Sequence, residues 1–327
     1  MSGSTTEMRY VNAITQALRD SMEQDPTVIV MGEDVAQAGG SFKATRGLLD
    51  TFGEERVIDT PISESSITSA AVGAALTGLK PVVEIMFMDF ITLSMDALVN
   101  QAAKARYMFG GQGSVSMVLR TPHGGGLSAG PQHSQCLEAW LAHVPGLKVV
   151  CPSNPQDAYS LLRAAIADPD PVMFIEHKAM YAVKGQVDVA REARMGQARI
   201  AREGRDVSLV TYGATVAVCL AAAEQLAKEG VEAEVVDLRS IQPWDKAAVL
   251  ASLAKTHRAV VVHEAVQAFG VGAEIVATIA DEGFDELDAP VLRVAAPFMP
   301  APFASSLEKG YAVTAERVIE AVRKTLA

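Results

Sequence analysis

Short runs of β-branched and apolar residues alternate with longer segments of helical spacing along this chain, the pattern of strands and helices laid down in turn. "YVNAITQALRDSMEQDP" has helical spacing and leads into the strand "TVIVMGEDV". A helix of small residues follows Glu64, then the strand "PVVEIMF" and a long helix from about Ile91 to Tyr107. The strand "VSMVLRTP" ends in a glycine-rich loop, "HGGGLSAGPQHSQ". The strand "LKVVCPS" meets a helix start in which Asn154 can cap, Pro155 suits the first turn and Asp157 adds favourable charge. "PVMFIEH" closes this half.

The polar stretch "KGQVDVAREARMGQARIAREGRD" has no clean period and reads as a linker. Beyond it the rhythm restarts with "VSLVTYG", a helix from about Thr215 to Lys228 and the strand "VEAEVVDL". A helix near Asp245 to Lys255, the strand "RAVVVHE", a helix after Gly270, the strand "APVLRVAAP" and the terminal helix "TAERVIEAVRKTLA" complete it. The pattern predicts an α/β protein of two parallel-sheet domains, 1–185 and 205–327, joined by a linker at 186–204.

Composition narrows the function. With 49% apolar and 20% charged residues the chain is globular rather than disordered. Its net charge of −11 argues against a nucleic-acid surface. No apolar run reaches the roughly 18 residues of a membrane span, and the N-terminus lacks the basic start and apolar core of a signal peptide. Cys136, Cys151 and Cys219 are scattered, which points to neither a disulfide framework nor a zinc site and favours a reducing, cytoplasmic setting. No G-x-x-x-x-G-K-S/T occurs, and no strand runs into G-x-G-x-x-G. A phosphorylated cofactor would therefore need a second chain to hold its phosphates.

Several residues stand out as candidates for chemistry. Glu64 is one carboxylate at the head of a nearly all-apolar helix, where it suits the helix dipole or a ligand. Glu33 ends a strand, where α/β ligand sites lie, although a solvated loop acid reads the same way. His133 sits in the glycine-rich loop, where backbone can approach a ligand closely. Phe90 follows the strand "PVVEIMF", while Met86 lies within it, two residues from Met88 in strand phase, and both fit either a pocket or the core. Asp168 and Asp170 in "ADPDPV" offer hard oxygen ligands or a polar turn. The small residues Ala70, Gly73, Ala74 and Gly78 suit a helix packed tightly at an interface or in the core. His123 is a weaker candidate than His133, and His143, His177, His257 and His263 read as structural.

"MGEDVA", "DTPISE", "MFMDF", "NQAAKARYMFGG", "QHSQ", "HVPGLKVVCPSNPQDA", "VTYGATV", "VDLRSIQPWD", "HEAVQAFGVGAEI" and "DAPVLRVAAP" together resemble the β subunit of the thiamine-diphosphate-dependent decarboxylating component of 2-oxo acid dehydrogenase complexes, over nearly the whole chain. The resemblance implies a transketolase-like pyrimidine-binding domain, a transketolase C-terminal domain, and assembly as two α and two β chains. It implies that the α subunit holds the diphosphate and magnesium through G-D-G...N, and no "GDG" occurs here. Glu64 matches the glutamate bonded to the pyrimidine nitrogen. A carboxyl there shares a proton with the ring and favours the imino form of the neighbouring amine, which can take the proton from the thiazolium carbon. Phe90 matches the aromatic stacked on the aminopyrimidine, and Met86 would line the same pocket. His133 matches the histidine near the reactive carbon, and Glu33 an acid facing a water-filled passage. Asp168 and Asp170 fall where some relatives hold structural potassium, partly through backbone oxygens.

The activity implied is decarboxylation of pyruvate or another 2-oxo acid, or cleavage of acetoin, with acyl transfer to the lipoyl domain of an acyltransferase core. The departure "APFMPAP", where the family often has an acid before the proline, leaves the subfamily open. Two other readings are a split transketolase-like subunit acting on sugar phosphates and a non-catalytic assembly subunit. Joint retention of Glu64, Phe90 and His133 disfavours the second.

Overall fold

The computed structural model describes residues 5–327, which divide into two compact units. The first takes in residues up to His123 and then Trp140–Met195; the second comprises Gly124–Ala139 and Gly196–Ala327. The glycine-rich loop thus clusters with the second half of the chain, although it follows a strand of the first.

In the first unit the strands run in the order Lys148–Val150, Val172–His177, Val118–His123, Lys80–Glu84, Val28–Gly32 and Val57–Asp59, all parallel. Every residue of Val118–His123 and Val172–His177 is buried, as expected of strands covered on both faces by crossover helices. The helix Tyr10–Gln24 buries Tyr10, Ala13, Ile14, Ala17, Leu18 and Met22 at helical spacing and packs on Pro155–Ala167. The latter starts as the sequence predicts. Asn154 accepts a hydrogen bond from the Asp157 amide at 2.9 Å, with Pro155 in the first turn. Part of the expected linker is ordered into a strand, Lys184–Val187, antiparallel to Thr6–Arg9.

In the second unit the order is Leu292–Ala296, Ala259–Val266, Val207–Thr211, Ala233–Asp237 and Arg199–Arg202. The first four are parallel, and Arg199–Arg202, from the other part of the expected linker, adds antiparallel. Helices Thr215–Ala227 and Ala315–Leu326 seal one face through Cys219, Ala222, Leu226, Val318, Ile319 and Val322. Burying aliphatic side chains of this size contributes roughly 1.5–3 kcal/mol each relative to exposure. Burial pushes the Cys219 thiol up to about 12, so it behaves as a small apolar filler. No helix among the described residues is long and apolar enough to cross a membrane.

Two expected elements differ. The long helix from about Ile91 to Tyr107 is instead a 3-10 segment Met88–Ser94, a π-helical turn Ala97–Ala102 and a short α-helix Ala103–Met108. The strand expected to contain Met86 ends at Glu84, so Met86 and Met88 share no strand phase; Met88 is buried and Met86 half-buried.

Candidate active site

Parallel strands leave their carboxyl ends open to one edge, and the first unit gathers its acids there. Glu33 directly follows Val28–Gly32, and Glu64 opens the helix that follows Val57–Asp59. Asp59 fixes the intervening loops, its carboxylate accepting from the amides of Ala36 at 2.6 Å and Gln37 at 3.1 Å. The start of the Glu64 helix is tied to the next segment, where Ser94 Oγ donates to the Glu64 carbonyl at 3.0 Å and Thr68 Oγ1 donates to Ser94 Oγ at 2.7 Å.

Both carboxylates are buried, Glu33 at 6% and Glu64 at 7% exposure. They lie close enough to interact. Burial pushes the Glu33 carboxyl above its ordinary range, and the charges of Glu64 and Asp34 add to the rise. Glu33 Oε1 has no hydrogen-bond partner among the described residues. A buried carboxylate oxygen left unpaired is costly, so the pair fits a polar ligand rather than a structural cap.

Phe90 is half-buried and meets Phe87 edge to face, with ring centroids 6.0 Å apart. Phe87 packs on Phe42 at 5.8 Å, and Phe42 on Tyr181 at 4.9 Å. This aromatic row braces Phe90, and its segment Met88–Ser94 packs on the Glu64 helix. A ring so held can offer one face to a planar ligand.

Beneath these residues lies a network that no motif announces. Arg120 is 1% exposed and donates to Glu84 Oε2 at 2.8 Å and to both oxygens of Glu176 at 2.7 and 2.9 Å. Tyr181 Oη donates to Glu176 at 2.6 Å. Burial opposes the Arg120 charge, but the two carboxylates outweigh it and hold the guanidinium firmly protonated. Strands Lys80–Glu84, Val118–His123 and Val172–His177 each contribute one charge, which locks their register at the ligand edge. The available signal was a charged residue inside each of three otherwise apolar strands. His123 and His177, opposite one another in register, are both buried with rings 5.4 Å apart.

His133 lies in the second unit, half-buried in the loop Gly124–Ala139, its amide donating to the Gly130 carbonyl at 3.3 Å. The structure therefore brings Glu33 and Glu64 together, seats Phe90 on the adjoining segment and places His133 on a separately organised loop. Asp168 and Asp170 are engaged elsewhere. Lys148 Nζ lies 2.6 Å from Asp168 and 3.3 Å from Asp170, and Asp170 also pairs with Arg106. Ser116 Oγ donates to the Asp168 carbonyl at 2.7 Å.

Comparison with known proteins identifies the family of the chain. Residues 6–184 match the transketolase pyrimidine binding domain and residues 196–318 the transketolase C-terminal domain. The chain is 44% identical to the pyruvate dehydrogenase E1 component subunit beta-2 of Oryza sativa, a mitochondrial protein, over 99% of this chain and 87% of that one. It is also 44% identical to the acetoin:2,6-dichlorophenolindophenol oxidoreductase subunit beta of Bacillus subtilis, over 96% of each. The chain belongs to the family of oxo acid and acetoin dehydrogenase β subunits. These are components of oxidoreductases, and the family depends on thiamine diphosphate. A split-gene transketolase, solved as an inactive β4 tetramer, shares the fold with a TM-score of 0.81 at 22% identity, covering 98% of each chain.

Proposed function

We propose that this β subunit, joined to an α subunit in a complex of two α and two β chains, decarboxylates a 2-oxo acid or cleaves acetoin and passes the acyl group to the lipoyl domain of an acyltransferase core. The observation that carries the proposal is the buried Glu33–Glu64 pair, with an unpaired oxygen on Glu33, at the carboxyl edge of a parallel sheet. Thiamine diphosphate would supply the nucleophilic carbon. Glu64 would hold the pyrimidine ring nitrogen and share a proton with it. Glu33, whose carboxyl burial and the charge of Glu64 raise above its ordinary range, would face the same ligand. Phe90 would lie against the ring face and Met86 at its edge. His133 would handle a proton later in the cycle.

The α subunit would hold the diphosphate and magnesium. With the Asp168 and Asp170 carboxylates committed to Lys148 and Arg106, a structural potassium ion would rest on backbone oxygens. The small residues Ala70 and Gly73 are exposed on the Glu64 helix and suit close approach by another chain. The cysteines, which form no disulfide, fit a cytoplasmic setting. A sugar-phosphate activity is disfavoured, because the split transketolase shares the fold alone.

The test is Glu64→Gln in the reconstituted enzyme. Deuterium exchange at the thiazolium carbon should slow by roughly 10²–10⁴-fold, the usual worth of one positioned proton-transfer group, with cofactor binding retained. Exchange at the wild-type rate would reduce Glu64 to a helix cap.

A further inference from the structure

The loop that carries His133 has unusual backbone. Gly124, Gly126, Ser128 and Gly130 all adopt positive φ, at 87°, 90°, 53° and 77°. Left-handed geometry is cheap for glycine and strained for a serine, so something must hold Ser128 there. One carboxylate holds Ser128, and a second grips the turn before it. Glu308 is buried at 7% exposure and accepts from the Gly126 amide at 2.8 Å. It also accepts from the Ser128 amide at 3.0 Å and from Ser128 Oγ at 3.1 Å. Glu264 accepts from the Gly125 amide at 2.6 Å.

Amides of a turn with alternating hand converge on an anion. Here the anion is a side chain of the same unit. A second contact fixes the far side of the curve: Phe303 packs against Gly130, where a Cβ would come within 2.3 Å of its ring. Phe303 and Glu308 both belong to the segment following Leu292–Ala296, and Glu308 sits in the short helix Ser305–Tyr311. At the loop's other end Tyr212 Oη donates to the buried Glu138 at 2.8 Å.

We propose that Glu308 is a positioning residue of the reaction: its carboxylate, clamped by the Gly126 and Ser128 amides, sets the curvature of the Gly124–Ala139 loop and thereby the place at which His133 meets the reacting group. The inference rests on the role given to His133 above. Glu308 touches neither substrate nor cofactor in this scheme. It acts through the loop.

The test is Glu308→Gln in the enzyme reconstituted with its α subunit. The substitution keeps the shape, removes the charge and turns one acceptor into a donor facing N–H groups. Hydrogen exchange of the peptide spanning 124–139 should quicken, and kcat should fall about 10²-fold, the scale of a misplacement near 1 Å. Deuterium exchange at the thiazolium carbon should stay at the wild-type rate. In a double-mutant cycle, Glu308→Gln should add little to His133→Ala, because both remove one function. Should Glu308→Gln fail to assemble, Ser128→Ala removes only the hydroxyl contact and should shift loop exchange and kcat in the same direction, about tenfold or less. Full additivity with His133→Ala, or loop exchange unchanged by both variants, overturns the clamp. A stalled His133→Ala enzyme beside a normal Glu308→Gln enzyme overturns the clamp alone, whereas a fully active His133→Ala enzyme overturns the His133 assignment and the clamp with it.

Discussion

Glu33 and Glu64 come from different crossovers of the sheet, and their effect on one another decides how the site responds to pH. Burial and the neighbouring charges of Glu64 and Asp34 raise the carboxyl of Glu33 in the folded state above its unfolded value. A raised carboxyl means that folding is favoured by protonation. That stabilisation is fully present below the unfolded pKa and is lost as pH rises through the folded one. Glu33→Gln removes the titration. The variant, assembled with its α subunit, should therefore melt higher than wild type near neutral pH, and the gap should close as pH falls towards the ordinary carboxylate range. Thermal melts of both proteins across that range check it. A gap of constant size would show that Glu33 is not held against its charge. Of this corner, the sequence supplied the residues but not their partnership. Glu33 and Glu64 were visible as acids at element ends. That they come close enough to interact depends on strand order, with Val28–Gly32 next to Val57–Asp59, which no local pattern encodes.

Elements were legible where a single period ran uninterrupted. Tyr10–Gln24, Pro155–Ala167 and Ala315–Leu326 lie where apolar spacing and caps placed them. The stretch from about Ile91 to Tyr107 defeated the same reasoning, because apolar residues spaced by three to five positions fit 3-10, α and π turns alike. What selects among them is a tertiary approach. Gly146, at φ 103°, passes so close to this segment that a Cβ would lie 2.0 Å from the Ala103 carbonyl oxygen. Lys104 Nζ meanwhile donates to the Pro145 carbonyl at 2.8 Å. Gly146→Ala should therefore destabilise by roughly 3 kcal/mol or more, through left-handed strain and a clash with backbone that cannot rotate away. Denaturant titration of the assembled protein measures it, and a loss below 1 kcal/mol would mean the segment has room to shift. The linker misled for the opposite reason. Arg199–Arg202 is polar because it pairs at a sheet edge, so its strand character lies in backbone hydrogen bonds and not in its side chains.

Across the whole molecule, what the chain lacks is as informative as what it carries. It presents a buried carboxylate pair and a braced aromatic, groups suited to the pyrimidine end of a thiamine cofactor, while its sequence contains neither a phosphate loop nor a G-D-G motif. A net charge of −11 further opposes unaided binding of a diphosphate at long range. Most of a diphosphate cofactor's affinity comes from charge-assisted contacts to the phosphates and from the bound metal. Pyrimidine contacts of the kind proposed, a shared proton and one stacked ring, would fix orientation more than strength. The purified chain should therefore bind thiamine diphosphate weakly, with little dependence on magnesium, and addition of the α subunit should bring on tight, magnesium-dependent binding. Glu64→Gln should then lower proton exchange at the thiazolium carbon far more than it lowers that affinity. Isothermal calorimetry of the chain with and without its partner, repeated in the presence of a chelator, separates these contributions. Tight magnesium-dependent binding by this chain alone would show that it holds the phosphates itself, and the division of the cofactor between two subunits would have to be abandoned.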